Sequence, residues 1–181
     1  MRIEDRGVDE KSRIELMMTS DFARSALFYA PRSGRFICNS DYRVERDYLD
    51  MFLLMYICHG SLRVTTRGKQ YVACEDQVVL LDCHHPHRYE SIDSVDFIWF
   101  HYLGSASEQY GEYLYAQGGV VFSGAHVPAL REYFQMILNS AQLLFPNEHL
   151  VSVSIHTILS RLATEGGDHI ALGDLLMPSI D

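Results

Sequence analysis

The chain carries two hydrophobic rhythms, and the change falls near residue 104. Upstream of it, short apolar runs are separated by turn signals. "ALFYA" (26–30) stops at Pro31, where "RSG" reads as a turn, and "FIC" (36–38) follows. "YRVER" (42–46) alternates in period two, the mark of a strand with one covered face. "MFLLMYIC" (51–58) is apolar at every position, which predicts a strand covered on both faces. "SLRVT" (61–65) and "KQYVA" (69–73) flank Arg67-Gly68 and predict a hairpin. "VVLL" (78–81), "HRYES" (87–91) and "DFIWFHYL" (96–103) complete the series. Short strands at regular spacing predict a sandwich or a barrel.

Downstream, the period becomes helical. "SASEQYGEYLYAQGG" predicts a short helix stopped by Gly118-Gly119. Over 128–145, Leu130, Phe134, Ile137, Leu138, Ala141 and Leu144 or Phe145 recur on one face, and Pro128 suits a first turn. Asn147 reads as an N-cap with Glu148 in the first turn of a second helix. That helix carries Val151, Ile155, Ile158, Leu159 and Leu162, and it ends at Gly166-Gly167. The two form an αα-hairpin whose apolar surface serves either its own barrel or a partner. The expected fold is therefore mainly β with C-terminal helices.

Composition changes this picture little, and charge changes it more. The 181 residues include 48% hydrophobic and 22% charged positions, an ordinary globular balance. The net charge of −9, with no cluster of Lys and Arg, speaks against direct contact with nucleic acid. No apolar run approaches the roughly 20 residues of a membrane span. The polar start "MRIEDRGVDEKSRIE" lacks a signal-peptide core, so the expected location is cytoplasmic. Cys38, Cys58, Cys74 and Cys83 form no CxxC pair and read as free thiols.

Taken in order, "YLDMFLLMYICHGSLRVTTRGKQYVA", "VVLLDCHHPHRYES" and "DFIWFHYLG" resemble the N-terminal sensor domain of AraC-type transcriptional regulators, which are cupin barrels. The family pattern is a strand ending in Gly, a hairpin with Gly at its tip, a Pro-Gly-Asp turn, a Pro-x-Gly-x-x-His turn and a Trp-x-His-Phe strand. It falls here on Gly60, Gly68, Glu75-Asp76-Gln77, Asp82–His87 and Trp99–Tyr102, with Gly104 closing the strand. Two of these turns do without their usual glycine or proline. The resemblance implies a cupin-like (jelly-roll) β-barrel followed by an antiparallel α-helical hairpin. It divides the chain into an N-terminal arm (1–19), a barrel sensor domain (20–104), a helical dimerisation region (105–165) and a linker (166–181). That linker leads toward a helix-turn-helix domain this chain does not contain, so the chain reads as a fragment of a longer regulator.

Three histidines in four positions, His84, His85 and His87, invite a metal. A metal-binding cupin also needs a His-x-His pair and a Glu seven positions before the first-motif glycine. Counting back from Gly60 gives Leu53, and residues 1–58 hold no histidine. His87 matches the second-motif histidine and stands alone, so no metal and no other cofactor is expected. His84 and His85 read as exposed turn residues.

The cavity should instead be lined by aromatic and polar side chains. Alternation along 96–103 puts Phe97, Trp99 and His101 on one face and Ile98, Phe100 and Tyr102 on the other. Both faces are apolar, so parity does not choose between them, whereas the resemblance favours the Trp99 face. In the sugar-sensing prototype of the family, pocket positions match His59, Tyr89, Phe97 and Trp99. His87 shares parity with Tyr89, and Arg46 or Tyr42 joins from a neighbouring strand. The expected ligand site is thus Arg46, His59, His87, Tyr89, Phe97, Trp99 and His101. The expected function is ligand sensing and dimerisation, not catalysis. A small-molecule effector, with a carbohydrate favoured, would occupy the barrel. Homodimers would form through helices 128–145 and 147–165, and DNA would be reached only through the missing domain. The alternative is a stand-alone metal-dependent cupin enzyme, an isomerase or oxygenase.

Overall fold

The computed structural model describes residues 5–104 and 106–165, so the expected linker lies outside the described residues. In chain order the elements are β1 (Arg13–Leu16), α1 (Asp21–Ala26), β2 (Tyr29–Cys38), β3 (Arg43–Arg46), β4 (Phe52–Thr66), β5 (Lys69–Cys74), β6 (Val78–Asp82) and β7 (His87–Leu103). Then come α2 (Ser107–Gly118), β8 (Val121–Phe122), α3 (Arg131–Ala141) and α4 (Glu148–Glu165). The main path of the antiparallel sheet is β1-β2-β7-β4-β6-β8, with β3 paired to β7 and β5 to β4. It is a jelly-roll-like β fold with helices mainly at the C-terminal end.

Two long strands organise everything. β4 fuses the predicted runs 51–58 and 61–65, and β7 fuses 87–91 with 96–103. They pair with each other almost end to end, and register shifts between Ile57/His59 and Gly60/Leu62 bend β4 midway. Bulges of this kind curve a strand and let one sheet wrap around its own core. The first half of β4 then pairs with β6 and the second half with β5. The hairpin at Arg67-Gly68 forms as the sequence predicts, with φ of 49° and 72°, the left-handed pair that a two-residue turn needs.

Each face of the sheet has its own core. Leu53, Met55, Ile57, Leu81, Phe97 and Trp99 point into the barrel. Phe52, Leu54, Tyr56, Ile98, Phe100 and Tyr102 point the other way, onto Leu114, Phe134, Leu138, Ile155 and Leu159 of the helices. This two-sided cover is why 52–58 is uniformly apolar and fully buried. The apolar stripe of the helical hairpin is thus spent on its own barrel.

Several elements differ from expectation. β2 runs unbroken through Pro31 and Ser33-Gly34, with its register shift between Tyr29 and Arg32, so no turn forms there. Residues 13–16 of the expected arm are a sheet strand, and a short helix capped by Ser20 follows. The helix expected over 128–145 begins as a 3-10 turn at Val127–Leu130 and α3 ends at Ala141. Leu144 and Phe145 therefore lie exposed in the connection to α4. Asn147 caps α4, its Oδ1 accepting from the Leu150 N–H at 3.0 Å. In the turn that lacks the family glycine, Asp76 takes the left-handed conformation itself, φ 60°, and its carboxylate accepts the Tyr56 hydroxyl.

Candidate functional site

Register assembles the site row by row. Arg32 of β2 pairs with His101 of β7, which pairs with Leu53 of β4. One row along stand Gly34, Trp99 and Met55, and beyond them Phe36, Phe97 and Ile57. Residues opposite one another in an antiparallel pair share a face, so all these side chains point into the barrel. β3 adds Val44 opposite Tyr89 and Arg46 opposite His87.

These rows line a cavity of about 40 Å³. Arg46, Tyr89, Phe97, Trp99 and His101, all expected at the site, line it together. So do Arg32, Phe36, Tyr42, Met55 and Asp5, the last from the N-terminal arm. Its aromatic wall is edge-packed, with Trp99 at 5.3 Å from Phe36 and 5.4 Å from His101 between ring centroids. The aromatic body is fitted by Gly34, over which the indole lies, since any side chain there would meet the Trp99 Nε1.

The polar atoms of this wall are unusually unsatisfied. Among the described residues, Arg32 Nε, Arg46 Nη1, Trp99 Nε1 and both ring nitrogens of His101 are buried without a hydrogen-bond partner. A buried donor or acceptor left unpaired costs about 1–3 kcal/mol. Several such atoms on side chains that line one cavity are what a polar ligand would satisfy. Burial pushes the His101 pKa down to about 3, and the charges of Arg46 and Arg32 push in the same direction, so its imidazole is neutral. Burial likewise raises the Tyr89 hydroxyl to about 12, which keeps it protonated.

Two expected residues are placed elsewhere. His59 is a correction: the bulge next to Ile57 turns it out of the barrel, where it is 65% exposed and 3.3 Å from Glu75. His87 is buried but borders a separate open groove between the β4–β5 turn and β3, with Arg46 shared between groove and cavity. Its Nδ1 faces the His85 carbonyl oxygen at 2.9 Å, which makes that nitrogen the donor, and its ring stacks on Tyr89 at 6.3 Å. Burial lowers the His87 pKa, against the pull of that carbonyl. Arg32 is among the lining residues that sequence reasoning missed, with Phe36, Met55 and Asp5. Its segment, "PRSG", looks like a turn, and only the sheet register shows that β2 passes through it.

The barrel interior does not fit a metal. Leu53 stands at the first-motif Glu position, with Met55 and Ile57 beside it also apolar, and His101 stands with two guanidiniums that repel a cation. His84 and His85 also depart from expectation, for both are half-buried and lie 2.6 and 3.5 Å from the Asp82 carboxylate. His84 lies between Asp82, at 2.6 Å, and Asp50, at 2.9 Å. Burial alone would lower its pKa, but the two carboxylates outweigh burial and hold it above its ordinary value. Asp82, His85 and Glu112 do offer ligand atoms within 4.8 Å of one another outside the barrel. Arg67 already pairs with both carboxylates of that group, at 3.3 Å from Asp82 and 2.7 Å from Glu112.

The site is thus an aromatic cavity with unpartnered polar atoms in its wall, inside a jelly-roll-like barrel covered on its outer face by a helical hairpin. Residues 31–162 match the AraC-like ligand binding domain, and the chain belongs to that family. Among solved structures it is similar to the AraC-like transcriptional activator CuxR, with 11% identity and a TM-score of 0.58, over 89% of this chain and 65% of that one. A cupin superfamily protein from Desulfitobacterium hafniense is 16% identical with a TM-score of 0.40, covering 56% of this chain and 84% of its own. No curated protein matches the sequence. No helix among the described residues is long and apolar enough to cross a membrane.

Proposed function

We propose that this domain is a non-enzymatic, cytoplasmic sensor that binds a small hydroxylated effector, a sugar or sugar derivative, in the barrel cavity. The single observation that carries this reading is the convergence of five unpartnered buried polar atoms on an aromatic-walled cavity. A sugar presents an apolar C–H face to an indole and hydroxyls to the donors around it. The division into arm, barrel, helical region and linker describes how such a sensor would be read out. Asp5 and Ile14 of the arm border the cavity, and Ser20 bonds Glu148 of α4 through its backbone N–H and its hydroxyl, each at 2.7 Å. Occupancy would thereby bias the arm and the helical hairpin together. Homodimerisation through the hairpin is supported by Leu144 and Phe145, each more than four-fifths exposed. DNA would be contacted by an attached DNA-binding domain, spaced on two half-sites by the dimer.

Thermal shift against a panel of pentoses, hexoses and their oxidised and phosphorylated derivatives tests the reading. A dose-dependent rise in Tm that Trp99→Ala abolishes supports it. A panel without response, from a protein whose Tm is likewise insensitive to changes in the cavity wall, would falsify it. The enzyme alternative predicts stoichiometric metal in the purified chain.

A further inference from the structure

The half-buried arginines of the barrel fall into two groups. Arg35 pairs with Asp96 through two hydrogen bonds, at 2.9 and 2.7 Å. Arg63 and Arg88 share Glu90, and Arg67 holds Asp82 and Glu112. Arg32 and Arg46 break the pattern. Each lines the cavity, carries a buried guanidinium nitrogen without a hydrogen-bond partner, and has no carboxylate partner among the described residues. Asp5, the carboxylate of the lining, forms no ion pair with either of them among the described residues.

We infer that the effector is an anion: a monosaccharide-sized polyol carrying a carboxylate or phosphate that Arg32 and Arg46 bind together. This deepens the sensing reading and rests on it. A guanidinium presents a planar fork of donors matched to such oxyanions, and charge-assisted bonds of this kind are the strong ones. An unpaired charge held inside a barrel is costly, and the cost is recovered when a counter-charge enters with the ligand. The lining carries two positive charges and one negative, with His101 neutral, so a single anionic group balances it. The rest of the wall suits the remainder of the molecule. Trp99 Nε1 donates to a hydroxyl, and His101 offers one donor and one acceptor to others.

Trp99 is the single tryptophan of the chain, so its emission reports the cavity alone. The experiment titrates the protein with galacturonate, glucuronate and glucose 6-phosphate, and with galactose and glucose as neutral counterparts. It compares wild type with Arg32→Gln, Arg46→Gln and the charge-retaining Arg46→Lys. The charged probes are expected to bind about tenfold or more tightly than their neutral parents, an advantage lost in both Gln variants. Arg46→Lys should keep part of it. The uronates and the hexose phosphate distinguish carboxylate from phosphate as the source of the charge. Quenching by iodide and by caesium gives a second readout that needs no effector. Iodide is expected to quench more strongly in wild type, and the preference should disappear in the Arg32→Gln/Arg46→Gln double variant. Melting curves of the ligand-free variants check that they fold.

Neutral sugars binding as tightly as the acids would overturn the anion inference and leave the sensing reading standing. Equal quenching by the two ions, or a preference unchanged in the double variant, would also overturn it. If no sugar or acid binds but the iodide preference is present and arginine-dependent, the anion site is supported and the carbohydrate part of the sensing reading falls.

Discussion

Gly34 lies directly beneath Trp99: a Cβ added to the glycine would stand 2.8 Å from the indole Nε1 and 2.5 Å from the carbonyl oxygen of Arg13. Both neighbours belong to the sheet, so neither can yield freely. Gly34→Ala is therefore expected to destabilise the fold by about 1–3 kcal/mol, as overpacking does. It should also shift the Trp99 emission maximum as the indole is displaced. Urea denaturation and fluorescence measure the two effects on one sample. A variant of unchanged stability with unchanged emission would show that the indole does not depend on this gap.

His101 gives stability a pH dependence of definite sign. Its folded pKa is about 3, against an ordinary value near 6.5 in an unfolded chain. Between these values the unfolded state binds a proton that the folded state refuses. Stability from this group is complete above about pH 6.5 and is lost as pH falls toward 3, at up to about 1.4 kcal/mol per unit. His101→Gln should remove that slope. The test is urea denaturation of both proteins from pH 7 to pH 4, with the wild-type curve falling more steeply.

Ser20 ties the front of the chain to α4. Its hydroxyl accepts the Ala23 N–H at 3.1 Å, capping α1, and donates to Glu148 at 2.7 Å. Ser20→Ala should cost about 1 kcal/mol, the usual price of a lost N-cap. Hydrogen exchange should accelerate in residues 20–26 more than in the barrel strands. Uniform acceleration everywhere would mean the serine acts only on global stability. The tie also has a pH direction. The hydroxyl and backbone N–H of Ser20 hold the Glu148 pKa below the usual carboxylate value, so this contribution weakens as pH falls through the acid range.

Leu144 and Phe145 project from the α3–α4 connection into solvent within one chain. Leu144→Glu with Phe145→Glu should leave the melting temperature nearly unchanged at low protein concentration. Sedimentation should show the wild type as a dimer and the double variant as a monomer. A wild type that sediments as a monomer at every concentration would remove the hairpin tip from the dimerisation reading.

Much of the architecture was legible from local pattern because local physics sets it. The Arg67-Gly68 hairpin, the cap at Asn147 and the stop at Gly119 each rest on a residue whose backbone or side chain suits its place. The site was legible in part. Phe97, Trp99 and His101 follow one parity along a single unbroken strand, so finding one places all three. His59 was misplaced because a bulge intervenes between Ile57 and His59, and an extra residue exchanges the two faces of a strand. Arg32 was invisible because "PRSG" carries turn-forming residues, and a strand through it is dictated by pairing with β7 rather than by propensity.

The amino-acid sequence by itself determined the alternation of elements, the two covered faces of 52–58 and the family to which the chain belongs. Tertiary structure decided which of two equally apolar faces of β7 encloses the cavity, since burial on both sides erases the signal that parity would otherwise give. It also decided that Arg32 and Arg46, separated by a strand and a turn along the chain, meet at one cavity without a carboxylate of their own. Charge pairing depends on distances across a folded sheet, and no local pattern encodes them.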